Sequence, residues 1–202
     1  MTVIFDLDGT LVDSSLVLSG AINYVRNYLG LKSLPKAEII EQINNPECNF
    51  AEYFYGLKEI TSKHEELFKE YYYANHDTQL ELFSGVEQML QELKSSKIKI
   101  ALATNAYRDS TTKVLNYLNL IGYFDTIACW DDVKSGKPSP DMLYKVIKNL
   151  NSKKAIFIGD SQRDLLASKA ANIEFILVDF VNQIDNTKDL TKKIKNYLLK
   201  GE

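Results

Sequence analysis

Cysteine is scarce: the 202 residues hold two, Cys48 and Cys129, far apart and outside any CxxC pair. That excludes a disulfide framework and a zinc ribbon. Long apolar runs are missing as well, since nothing approaches the roughly 20 residues needed to cross a bilayer. The opening Thr2-Val3-Ile4-Phe5 is strand-like and lacks the basic segment and long apolar stretch of a signal peptide. Positive charge is not in excess, with 24 Lys and Arg against 27 Asp and Glu, a net charge of −3. No broad nucleic-acid or anionic-membrane surface is therefore expected. Repeats and low-complexity tracts are also absent. What remains is ordinary for a folded protein, 45% apolar and 25% charged. The expectation is a reduced, cytoplasmic, soluble chain of one domain, or one domain carrying a sizeable insertion.

Five short runs read as strands: 2–5, 99–103, 126–129, 155–158 and 174–178. They are rich in Val, Ile, Phe, Leu and Ala and show little polar alternation, which suits a parallel sheet buried on both faces. Helical spacing fills the gaps, as with Val86, Met89, Leu90 and Leu93, or Leu143, Val146, Ile147 and Leu150. In the second of these, Ser139 is placed to cap and Pro140 to open the helix. Strands alternating with helices predict an α/β fold with a doubly wound parallel sheet.

One gap is too long for a single crossover. After the first strand the chain is helical without a convincing strand until the helix near Ser84. Leu18, Ile22, Val25 and Leu29 form one stripe. Further helices are read over 37–43, 52–60 and 64–73. Seven of the twelve tyrosines lie between Tyr24 and Tyr73. They read either as the core of a helical subdomain or as a lid face meeting a ligand. The expected division is 1–14 with 84–202 as the α/β core and 15–83 as an inserted helical cap. At the C-terminus, Leu190, Ile194, Tyr197 and Leu198 share a helix face surrounded by Lys188, Lys192, Lys193, Lys195 and Lys200. The lysines read as a solvated face over a docked stripe rather than a partner site.

Four segments carry chemistry. In Phe5-Asp6-Leu7-Asp8-Gly9-Thr10 a strand ends in two carboxylates two residues apart, on one face of the strand. They lie at the carboxyl edge of the sheet, where ligands of open α/β folds bind. Gly9 permits a tight turn and close backbone approach to a ligand. Carboxylates this close repel unless a proton or cation lies between them, and a hard divalent ion such as Mg²⁺ fits oxygen donors. The alternative is a turn whose aspartates cap the next helix. In Ile158-Gly159-Asp160-Ser161-Gln162-Arg163-Asp164, Asp160 ends another strand, while Ser161 and Asp164 fit a capping box. That box accounts for Asp164 and leaves Asp160 as the better ligand. Thr104-Asn105 ends a third strand with a hydroxyl and an amide able to donate to a phosphate oxygen, or simply marks a turn. Ser135-Gly136-Lys137-Pro138-Ser139-Pro140 fixes Lys137 in a stiff loop, suited to an ammonium set against anions.

Taken in order, DLDGT, a strand ending in Thr, GKPSPD and GDSQRD resemble the haloacid dehalogenase superfamily, over the whole chain. Asp13-Ser14 and the helical insertion resemble its phosphoglycolate phosphatase-like branch with a helical cap. The resemblance implies a phosphatase acting on a small phosphorylated metabolite through an aspartyl phosphate. It implies Asp6 as nucleophile, Asp8 as general acid and base, Thr104 and Lys137 on the transferring group, and Gly9 and Asn105 at the phosphate. Asp6, the Asp8 backbone carbonyl and Asp160 would hold Mg²⁺, with Asp164 supporting directly or through water. Ala106, Asn172 and Ser84 depart from residues common in relatives: lysine, glycine and proline respectively. A dehalogenase is disfavoured by Asp8, and phosphonate hydrolysis by the same acid. A sugar phosphomutase is an alternative, although 15–29 lacks the histidine usual there. A non-catalytic binding module is the remaining one.

Overall fold

The computed structural model describes residues 1–182 and 186–199. Lys200, one of the lysines read as a solvated face, lies outside them. The chain divides into two compact units, Met1–Asp13 with Leu82–Glu202, and Ser14–Glu81.

In chain order the elements are β1 (Thr2–Phe5), β2 (Val12–Asp13), α1 (Ser15–Tyr28), α2 (Lys36–Asn44), α3 (Phe50–Tyr55), α4 (Ser62–Gln79) and β3 (Glu81–Leu82). There follow α5 (Val86–Ser95), β4 (Lys99–Ala103), α6 (Arg108–Tyr117), β5 (Thr126–Ala128), α7 (Asp141–Leu150), β6 (Ala155–Gly159), α8 (Gln162–Ala171), β7 (Glu174–Leu177) and α9 (Thr187–Leu199). The main sheet has the order β5-β4-β1-β6-β7, and β2 pairs with β3 in a separate two-stranded sheet. Every pairing in the main sheet is parallel. The fold is the α/β doubly wound one that the strand composition predicts. β1 sits at its centre, with β4 on one side and β6 on the other, so strand order reverses there.

Both faces of the sheet are covered, which is why the strands need no polar alternation. Ile4 lies in register with Ala101 and Phe157, and these side chains pack with Met142, Leu143 and Val146 of α7 and Ala167 of α8. Burying a side chain of Ile or Phe size contributes about 1.5–3 kcal/mol. α5 and α9 pack together, α5 against β4 and α9 against β6. Leu190, Ile194 and Leu198 form the buried stripe of α9, while Lys192 and Lys193 are exposed. Tyr197 is half-buried beneath the Lys154 ammonium, 4.8 Å from its ring centre.

Three local expectations need correction. α7 begins at Asp141 with Pro140 before it, and Ser139 does not cap it. The Ser139 hydroxyl instead donates to the Asp141 carboxylate at 2.8 Å. The helix read over 52–60 is α3, already begun at Phe50 and ended at Gly56 (φ +64°), whose N–H reaches Glu52 O while Leu57 N–H reaches Ala51 O. A glycine in the left-handed region is an ordinary helix stop. α4 runs on to Gln79, past the 73 expected. Asn172, where a glycine is common, sits at φ +54° as the cap of α8, a conformation asparagine tolerates better than most residues.

The helical unit has its own core of Ile22, Val25, Ile39, Phe54, Tyr55 and Leu67, with Leu29 packed against it. None of the described helices is long and apolar enough to cross a membrane.

Candidate active site

Parallel neighbours end together, so the sheet delivers three polar residues to one edge. Phe5 is opposite Leu102 of β4 and Ile158 of β6, which places Asp6 between the strand ends leading to Thr104 and Asp160. The Asp6 N–H still bonds Ile158 O at 2.9 Å, so the backbone holds it in sheet register. Beyond it the chain turns tightly: Leu11 and Val12 both donate to Leu7 O, and Gly9 donates to Val12 O at 2.8 Å. Gly9 has φ +79°, and a Cβ there would lie 2.2 Å from Asp160 Oδ2. Only glycine meets both demands. Its absent side chain makes room for Asp160, and its amide is committed within the turn.

Carboxylate oxygens of Asp6, Asp160 and Asp164 all lie within 4.8 Å of one another. Lys137 closes the group: its Nζ is 2.6 Å from Asp6 Oδ1 and 2.6 Å from Asp164 Oδ1. The lysine is only 4% exposed, and its ammonium also lies 5.4 Å from the Phe157 ring centre. A buried cation must be paired, and here two carboxylates do so. Burial alone would lower the Lys137 pKa, but the charges of Asp164 and Asp6 outweigh it and hold the ammonium firmly protonated. Burial pushes Asp6 well above the usual carboxylate range, against the pull of Lys137 and with the help of Asp164 and Asp160. Asp160 is pushed up to about 7 by burial and by Asp164, although Thr10 Oγ1 donates to its Oδ1 at 2.8 Å. Three carboxylates facing one ammonium thus leave uncompensated negative charge, and an all-oxygen donor set of that kind fits a hard divalent cation.

Asp164 does two things at once. Its Oδ2 accepts the Ser161 N–H at 3.1 Å, and Ser161 Oγ accepts the Asp164 N–H at 3.3 Å, completing the capping box of α8. Its Oδ1 meets Lys137. Capping accounts for only one of the two oxygens. The Asp8 side chain stands outside the three-carboxylate cluster; Asp8 forms an isolated bridge with Val12, and its Oδ1 is buried.

Thr104 is buried, and its hydroxyl accepts the Ala106 N–H at 3.1 Å, leaving its own proton to donate. The Asn105 side chain bonds the Lys137 backbone. Its Oδ1 accepts the Lys137 N–H at 2.8 Å and its Nδ2 donates to Lys137 O at 2.9 Å. Sequence reading assigns no role to Thr10 and takes Gly136 only as part of the stiff loop around Lys137. Thr10 is legible as the hydroxyl after Gly9, whereas the close packing at Gly136 is not: a Cβ there would lie 2.2 Å from the Trp130 ring and 2.6 Å from Asn105 Oδ1.

Residues 3–178 match the sequence profile of the haloacid dehalogenase-like hydrolases. The chain belongs to that family and is an enzyme of its hydrolase class. Among curated relatives, it is similar to the pyrophosphatase PpaX of Halalkalibacterium halodurans, 31% identical over 91% of this chain and 89% of that protein. The phosphoglycolate phosphatase of Aquifex aeolicus is 29% identical over 98% of both chains. Among solved structures, a predicted phosphatase from Clostridium acetobutylicum shares the fold with a TM-score of 0.81 and 24% identity, over 96% of this chain and 97% of that one.

Proposed function

We propose that the protein is a Mg²⁺-dependent phosphatase that moves the phosphoryl group of a small phosphorylated metabolite onto Asp6 and then to water. One observation carries this reading: a buried Asp6 just past the end of the central strand, bridged to Lys137 and within 4.8 Å of Asp160 and Asp164 oxygens. In the first step an Asp6 oxygen bonds phosphorus as the bond to the leaving oxygen breaks, and Asp8 gives that oxygen a proton. In the second, Asp8 takes a proton from water, whose oxygen displaces Asp6 and restores the carboxylate. Splitting the transfer makes two easier steps of one difficult step. An alkoxide leaves poorly without the Asp8 proton. Thr104 donates its hydroxyl proton to a phosphoryl oxygen, and Lys137 offsets charge that a carboxylate and a phosphate would otherwise set against each other. Unit charges about 4 Å apart interact by about 4 kcal/mol at an effective dielectric of 20. Asp6, Asp160 and the Asp8 carbonyl would hold the Mg²⁺, with Asp164 in support. Bound there, the ion would cancel the surplus carboxylate charge and stabilise the phosphoryl oxygens in the transition state.

The relatives supply two substrate classes, a phosphomonoester and pyrophosphate. We take the phosphomonoester as the first reading, phosphoglycolate-like, and pyrophosphate as the second. The helical unit, inserted just after the Asp6–Thr10 turn, is the segment we assign to substrate selection as a cap. The test is hydrolysis of p-nitrophenyl phosphate, phosphoglycolate and pyrophosphate with Mg²⁺ and with a chelator. Turnover that needs the ion and disappears in Asp6→Asn supports the reading. Turnover untouched by chelation or by Asp6→Asn overturns it. A phosphomutase would isomerise a sugar phosphate faster than it released phosphate.

A further inference from the structure

We propose that Asn105 is a positioning residue that acts through Lys137. The side-chain amide and the Lys137 main chain exchange two hydrogen bonds, Lys137 N–H to Oδ1 at 2.8 Å and Nδ2 to Lys137 O at 2.9 Å. This is the pairing of one peptide unit with another, made by a side chain, and it fixes both the place and the plane of the lysine's backbone. Lysine needs such help, because four rotatable bonds separate its backbone from a compact ammonium. With the backbone clasped, the stem is left one course over the Phe157 ring to Asp6 and Asp164.

Two further features belong to the clasp. Gly136 precedes the lysine, and any Cβ there would collide with Asn105 Oδ1 and with the Trp130 ring. The loop therefore approaches Asn105 only because residue 136 has no side chain. Trp130 backs the same glycine, and its N–H bonds Ala106 O at 3.0 Å, next to Asn105. Residues 104 and 105 thereby put two functions on one strand end: Thr104 keeps a proton to donate, and its neighbour holds the loop that presents the ammonium. The spacing between that hydroxyl and that ammonium is set by a single dipeptide. A misplacement of about 1 Å at a reacting centre can cost on the order of 100-fold in rate.

The inference rests on the role given to Lys137 above, so the experiment separates the two. Turnover of p-nitrophenyl phosphate is measured for Asn105→Ala, Lys137→Met and the double variant, each with its thermal melt. Asn105→Ala should lower kcat about 10- to 100-fold with KM within about threefold. In the Lys137→Met background the same change should cost nothing more, because the group it acts through is gone. Losses that add, or a loss carried by KM, would put the amide on the substrate and overturn the proposal. Full activity in Lys137→Met would instead sink the function assigned to the lysine. Trp130 is the only tryptophan and gives a readout independent of activity. Its quenching by acrylamide should rise in Asn105→Ala as the loop loosens. Should Lys137→Met fail to fold, unchanged quenching in an Asn105→Ala protein of lowered kcat overturns the clasp, and raised quenching with KM held supports it.

Discussion

The two units treat their polar side chains in opposite ways. In the α/β unit, Asp6, Asp160 and Asp164 converge on one another around a single ammonium, and burial raises the pKa of two of the three. In the helical unit, the groups that could have served chemistry are occupied in holding helices together. Arg26 donates from Nε to Lys32 O at 2.8 Å and from Nη1 to Phe54 O. His64 accepts the Thr61 N–H at 3.2 Å in the capping box of α4 and stacks on Tyr55. Burial raises the Tyr55 hydroxyl pKa, with Arg26 nearby pulling the other way. Tyr24 and Tyr53 donate to Glu70 and Glu38 at 3.1 and 2.9 Å. The strand-end cluster of one unit stores unfavourable charge, and these groups of the other satisfy what they have. Carboxylates perturbed in the first way cluster at functional sites.

That contrast can be broken by substitution. Asp6→Asn should remove turnover by a factor of about 1,000 or more, since a carboxamide cannot take the phosphoryl group; steady-state phosphate release checks it. Asp160→Asn should also cost at least about 100-fold in rate and yet stabilise the chelator-treated protein. The sign follows from the raised pKa. Between about 4 and 7 the folded carboxyl binds more protons than the unfolded one, so metal-free stability falls as pH rises through that window. An amide removes that loss, and denaturant melts at pH 7.5 in chelator should show a gain on the order of 1–3 kcal/mol. A melting point that falls would contradict the account of stored repulsion.

Smaller effects are expected where charge is satisfied. Arg26→Ala should cost about 1–3 kcal/mol of stability by leaving the Phe54 carbonyl without its donor, with kcat on p-nitrophenyl phosphate changed less than about threefold well below the melt. A large kcat loss there would erase the contrast. Asp132 tests the reverse titration. Partial burial raises its pKa, but the hydrogen bonds from Arg108 and the Cys129 N–H outweigh that and leave it below the usual value. Asp132→Asn should therefore cost about 1 kcal/mol at neutral pH. The difference should vanish as acid takes the pH below the ordinary carboxylate range and through the lowered value.

Much of the α/β unit is legible because its signals are local. Val3–Phe5 and Ile100–Ala103 are apolar on both faces, and polar chemistry begins at the next residue. Asp160 could be singled out because the capping box left it unexplained. Asp164 was harder, since one oxygen obeys the local rule and the other answers to Lys137, 27 positions away. The Asn105 contact is illegible for the same reason: its partner is the backbone of residue 137, which spacing along the chain does not encode. In the helical unit, periodicity found α1 but overran α3. The left-handed Gly56 stops that helix although Leu57 and Ile60 continue an apolar pattern. Aromatic residues there pack in tilted and stacked pairs such as Tyr24 with Tyr71 and Phe68 with Tyr72, which composition alone leaves open between core and ligand face.

The central claim is that phosphoryl passes through Asp6. Enzyme in excess over a phosphomonoester carrying labelled phosphorus, mixed with Mg²⁺ and quenched in acid within the first turnover, tests it most directly. Label should appear on the peptide containing Asp6, decay as free phosphate rises, and never form in Asp6→Asn. Free phosphate released at full rate from Asp6→Asn, with no labelled peptide at any time in the parent protein, would contradict it.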